Sequence, residues 1–152
     1  MKKNAIFAFI VGGLFFATSC SSDDDSNPST TNPTATDVTN TVTSGTWRIT
    51  SYLDSGQDET ADFAGYNFTF GTNNVLTATN GTNNYSGIWS VTNDDDSAND
   101  LDFDILFSAP APTSFQDLSD DWDIVERTAT KLRVRDVSGG NGDTDYLTFE
   151  KN

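Results

Sequence analysis

Few residues in this chain are equipped for chemistry, and they fall in two places. Cys20 carries the only thiol of the 152 residues. Asn141, Asp143 and Asp145 alternate in a Gly-rich run, Ser138 to Asp145, and offer oxygen ligands of the kind a hard cation such as calcium takes. The same run also reads as a hairpin turn that uses Gly and Asn for positive φ. There is no histidine, so the commonest general base and the commonest imidazole ligand are both missing. Without it, no Ser has an imidazole to activate it. A glycosidase needs two carboxylates at a fixed separation. Most Asp residues here fall in loop runs or on outward strand positions. The expectation is a protein that is not an enzyme.

The surroundings of Cys20 say what the thiol is for. Lys2 and Lys3 are followed by an uncharged apolar run from Ala5 to Ala17 and then by Thr18-Ser19-Cys20. A basic start, a short apolar stretch and small residues make a signal peptide, and the run is too short to span a bilayer. Ala17-Thr18-Ser19-Cys20 resembles the lipobox of bacterial lipoproteins, with Ala17 where Leu is usual. The resemblance implies cleavage before Cys20 and acylation of its thiol with palmitate-type chains. Several chains hold a membrane durably where one does not. The alternative is an ordinary secretory signal with a chance cysteine. Ser22-Asp23-Asp24-Asp25 resembles the surface-export signal of lipoproteins of the Bacteroidetes group. This implies an outer-membrane, lipid-anchored and surface-exposed location. As residues alone, the triplet is a solvated charge run.

Eight Lys and Arg stand against 23 Asp and Glu, a net charge of −15. Loss of Lys2 and Lys3 with residues 1–19 leaves six cations and a net of −17. Such a chain repels nucleic acid, which excludes DNA and RNA as partners. With one cysteine no intramolecular disulfide can form. Residues 20–44 are Ser, Thr, Asn, Asp and Pro with scattered small apolar residues, too polar to bury a core. They read as a disordered tether, roughly 25–30 Å as a coil and about 75 Å when drawn out.

From Gly45 the hydrophobic period becomes two, and residues 45–152 read as one domain. Trp47, Ile49, Ser51 and Leu53 share a face, with Arg48, Thr50 and Tyr52 opposite. Further runs lie at Tyr66–Phe70, Val75–Thr79, Tyr85–Val91, Leu101–Phe107, Trp122–Val125, Leu132–Arg135 and Leu147–Phe149. Asn80-Gly81 is a hairpin dipeptide. Eight short strands without a long helix predict an all-β fold. The choices are an eight-stranded antiparallel up-and-down barrel or, alternatively, a β-sandwich. Large inward side chains predict a filled barrel, with slack only at Ser51, Ala78 and Gly87. Ile88, Leu106 and Val125 interrupt the outward polar face and predict an exterior patch. Pro110 and Pro112 end a strand ahead of Phe115 and Leu118, three residues apart on one helical face. Residues 113–119 are therefore expected to fold over that patch with Phe115 as anchor.

Gly45-Thr46-Trp47 resembles the Gly-x-Trp opening of lipocalins. Together with Asp121–Glu126 and Tyr146–Lys151 it resembles the short lipocalin-like lipoproteins of Bacteroidetes. This resemblance implies a lipocalin-like barrel that binds a small hydrophobic ligand. A protein-contact face and a surface glycan-binding accessory role are the other readings. Tyr52 and Tyr146, taken as outward, could stack on a sugar. Asp96-Ser97-Ala98 resembles an O-glycosylation acceptor of the same group. The residues name no ligand.

Overall fold

A computed structural model describes residues 33–93, 100–137 and 142–152, all within one compact unit, Thr31–Asn152. Cys20, Asn141 and Asp96-Ser97-Ala98 lie outside the described residues.

The described strands are β1 (Trp47–Asp54), β2 (Gln57–Asp58), β3 (Asn67–Phe70), β4 (Val75–Thr79) and β5 (Asn84–Asn93). They continue with β6 (Leu101–Phe107), β7 (Asp121–Arg127), β8 (Lys131–Val137) and β9 (Thr144–Lys151). Every pairing is antiparallel. Each barrel strand lies beside its neighbour in sequence, apart from the two-residue β2, which only extends the tip of β1. β1 also pairs β9, from Trp47↔Lys151 to Leu53↔Tyr146, and this closes the sheet. The fold is thus an eight-stranded up-and-down barrel and not a sandwich. Closure leaves no free edge along most of the sheet.

Alternation builds the core as expected at most positions. Trp47, Phe68, Phe70, Leu76, Phe103, Trp122, Leu132, Val134, Leu147 and Phe149 are all buried. The second half of β1 is the exception: Tyr52, expected outward, is 1 % exposed, while Ser51 and Leu53, expected inward, are only half-buried. The register of β1 against β9 slips between Ile49 and Ser51. A bulge adds one residue to one strand and inverts every face beyond it. Tyr52 therefore points in, its ring edge-on to Phe63 at 5.6 Å, and its hydroxyl donates to the Asp117 carbonyl at 3.0 Å.

The tether reading fails over its last third. Ala35–Val42 form a helix, α1, with Val38 and Val42 fully buried. Thr34 and Asp37 form a capping box: the Thr34 hydroxyl accepts the Asp37 N–H, and the Asp37 carboxylate accepts the Thr34 N–H. Val38 and Val42, four apart, share one face. That face covers the barrel end where β1 begins and β7 finishes. The Trp47 Nε1–H donates to the Val42 carbonyl at 2.8 Å, and Arg127 Nη1 donates to the Thr41 hydroxyl at 2.9 Å.

Residues Thr113–Gln116 form a second short helix, α2, at the opposite end, between β6 and β7. Phe115 is its anchor, as expected, but its target is different. It inserts into the barrel mouth, with ring centroids 4.9 Å from Tyr66, 5.0 Å from Tyr85, 5.2 Å from Phe63 and 5.5 Å from Phe107. Ile88 and Leu106 stay 55 % and 50 % exposed, so the segment does not cover the outer wall.

Candidate functional site

Among the described residues the barrel interior is filled with large buried side chains. The described inward side chains are mostly rings, packed edge to face. Phe70 lies 5.3–5.5 Å from Phe103, Trp89 and Phe149, and Phe68 lies 5.6 Å from Phe149. The ring quadrupole favours such contacts, and they add to the energy of burial. Gly87 is not slack. A Cβ there would stand 2.5 Å from the Leu106 carbonyl oxygen and 3.0 Å from the Phe107 ring, so glycine is what lets β5 and β6 approach. Ala78 is fully buried.

The described indole N–H groups of the core all have acceptors. The Trp89 Nε1–H donates to the Gly71 carbonyl and the Trp122 Nε1–H to the Leu118 carbonyl. Burial, with Asp54 and other acids nearby, pushes the Tyr52 phenol well above its usual range. Arg127 Nε is buried without a described hydrogen-bond partner.

Of the residues read as calcium ligands, Asp143 and Asp145 are described. Asp145 Oδ1 accepts the Ser55 N–H at 2.6 Å, which gives that carboxylate a role in joining β9 to the β1 turn. Among the described residues no group of three or more His, Cys, Asp or Glu is arranged around a common point. Tyr146 does lie on the outer wall, with the Arg133 guanidinium 4.6 Å over its ring.

Two carboxyls are held above their usual range: Glu59, by burial and the nearby Asp54, and Asp120. Burial, then the Asp121 side chain, with Asp136 adding repulsion, raise the pKa of Asp120 to about 6.

Outside, the apolar patch differs from the expected trio. Register puts Val75 opposite Ile88 and Ile88 opposite Leu106, so one row crosses β4, β5 and β6. Val125 is 44 % exposed but belongs elsewhere. β6 and β7 pair through Asp102↔Asp123 and Asp104↔Asp121, which leaves Val125 toward the α1 end and Leu106 toward the α2 end. Alternation reveals which face a side chain takes but not how far one strand slides along the next. For that reason Val75 was missed and Val125 misplaced.

Two recesses lie beside this row. One, of about 320 Å³, is lined by Val75, Ser86, Gly87, Ile88, Leu106 and Ser108. The other, of about 270 Å³, is lined by Asn84, Tyr85, Ser86 and residues 108–111. They share Ser86 and Ser108 and form one trough.

No protein-family model matches the chain, and no curated protein does. Among solved structures, a DUF4847 family protein from Bacteroides vulgatus ATCC 8482 is similar in fold, at 15 % identity and a TM-score of 0.48. The match covers 76 % of this chain and 97 % of that one.

Proposed function

We propose that this chain is a lipid-anchored protein of the outer membrane, displayed at the cell surface, and that its barrel is a non-enzymatic binding module working through its outer wall. The filled interior carries the second half of this reading. A small apolar ligand inside would have to displace Phe115, which is 1 % exposed and ringed by other aromatics. The trough on the wall is open without any such displacement. Cys20 and the apolar run before it support the first half.

Two measurements test the reading. Cys20→Ala should move the protein out of the membrane fraction, and protease added to intact cells should remove the wild-type barrel. A wild-type chain with an unmodified N-terminus that stays in the soluble fraction would refute the anchor. A native mass spectrum of the protein from its own host should show no retained lipid beyond the anchor. A second, stoichiometric apolar molecule would return the binding site to the interior.

A further inference from the structure

The wall that carries the trough is set apart by its charge. No residue between Asp62 and Asp94 is Asp, Glu, Lys or Arg, although the chain carries 23 acids and eight bases. That span supplies all of β3, β4 and β5. Their outward side chains are hydroxyls and amides in register. Asn67, Thr79 and Asn84 form one row, and Thr69, Thr77 and Ser86 the next, above Val75, Ile88 and Leu106. The cations sit elsewhere: Arg48, Arg127, Lys131, Arg133, Arg135 and Lys151 lie on β1, β7, β8 and β9.

Part of the β5 backbone in the trough has no strand beside it on its β6 side. The Trp89 N–H donates to the Asn74 carbonyl, so the odd-numbered peptide groups of β5 face β4 and the even-numbered ones face β6. The β5–β6 register starts at Gly87↔Phe107, and β6 stops there. The peptide groups of Ser86 and Asn84 therefore face the 270 Å³ recess with no strand opposite them.

We propose that this trough binds an uncharged glycan. The proposal rests on the reading that binding occurs on the outer wall. A neutral sugar presents hydroxyls that both donate and accept, and small apolar C–H faces. Ser86, Ser108 and Asn84 each donate and accept, and the bare peptide edge adds both functions. Val75, Ile88 and Leu106 supply the apolar strip. An anionic ligand finds no cation on this wall, and its one neighbouring acid, Asp104 of β6, already accepts the hydroxyls of Ser90 and Thr92. A second copy of the chain is disfavoured because three apolar side chains fall far short of the roughly 800 Å² per partner of a stable interface. Two copies at −15 each also repel.

Affinity gel electrophoresis of the full chain in detergent tests this. The neutral probes are starch, β-glucan, mannan and xylan, and the charged controls are polygalacturonate and heparin. At least one neutral polysaccharide should retard the protein, and the retardation should persist at about 0.5 M salt, where the screening length is only a few Å. Ile88→Asp should weaken it at least about tenfold. Leu106→Asn, a milder change in the same row, should weaken it as well, and either variant counts only with an unchanged thermal midpoint. Val137→Asp, exposed and off this wall, should bind as wild type. No retardation by any neutral probe, retardation by the polyanions alone, or full binding by a folded Ile88→Asp would overturn the proposal. So would a dimer in sedimentation that Ile88→Asp dissociates. Loss of the membrane anchor would leave the retardation intact, so failure of the location and failure of the ligand class are separable.

Discussion

Two helices close the two ends of the barrel, and the shorter one carries the heavier anchor. α2 has four residues and α1 has eight. α2 drives one phenylalanine into a ring of aromatics and fixes itself with backbone acceptors. The Asp117 carbonyl takes the Tyr52 hydroxyl, and the Leu118 carbonyl takes the Trp122 indole. The Ser119 hydroxyl bridges the N–H and carbonyl of Phe107, at 2.9 and 3.1 Å. α1 offers two valines and two hydrogen bonds, to Trp47 and Arg127. Helix length thus says little about how firmly an end is sealed. A four-residue helix is held by its tertiary contacts, because propensity is too weak to hold it. The α2 end should behave as part of the core, and the α1 end as a unit that opens locally.

The sharpest way to break this comparison is to remove the anchors. Phe115→Ala should destabilise the fold by about 3–5 kcal/mol, the usual cost of truncating a buried aromatic. Chemical denaturation should show a single transition at lower midpoint. Trp47→Ala should cost a similar ~3–5 kcal/mol and should also free α1, because its indole holds the Val42 carbonyl. A near-neutral Phe115→Ala would mean that α2 is a lid and not core.

Smaller changes sharpen the contrast. Val42→Thr keeps the shape and buries a hydroxyl at a fully buried position. The cost should be about 1–3 kcal/mol, and it should appear mainly as faster exchange of the α1 amides. At the other end, Asp120→Asn should stabilise the protein at pH 7 and not at pH 4. The folded pKa lies near 6, above the usual carboxylate value, so the folded state holds this proton more tightly than the unfolded chain does. Stability from that preference is complete below about pH 4 and is lost as pH rises through 6. The residue keeps much of its surface in water, so screening leaves a gain of about 1 kcal/mol at pH 7 rather than the full value of the shift. Equal stabilisation at both pH values would show that charge is not the cause.

The same contrast explains what could be read in the sequence. The strands were legible because period-two alternation is strong in segments such as Leu101–Phe107. α2 was legible because Pro110 and Pro112 end a strand just before Phe115 and Leu118 share a helical face. α1 was hidden. Its apolar content is two valines among Thr, Asn and Asp, and composition alone makes that a linker. The available signal was positional: Thr34 three residues before Asp37, followed by Val38 and Val42 four apart. Tyr52 was hidden for another reason. A bulge inserts a residue without any mark in the pattern, and only the opposite strand, β9, fixes where it falls. The trough depends on register across three strands, which no single segment encodes. The thiol of Cys20 and the run before it carry their meaning in sequence alone.

The mildest test acts on the cap of α1. Thr34→Ala removes the hydroxyl that accepts the Asp37 N–H and donates to the Asp37 carboxylate at 2.7 Å. Those contacts hold the Asp37 carboxyl below its usual range, and they lie at the helix N-terminus, where a carboxylate also meets the positive end of the dipole. Loss of an N-cap costs about 1 kcal/mol. If α1 opens on its own, that cost falls on the local equilibrium, and the amides of Val38 to Val42 should exchange about fivefold faster. The strand amides and the denaturation midpoint should hardly move. If α1 is instead one cooperative unit with the barrel, the same energy should appear in global stability and speed exchange everywhere alike. The pattern of exchange, more than its size, separates a helix that seals the barrel from one that belongs to it.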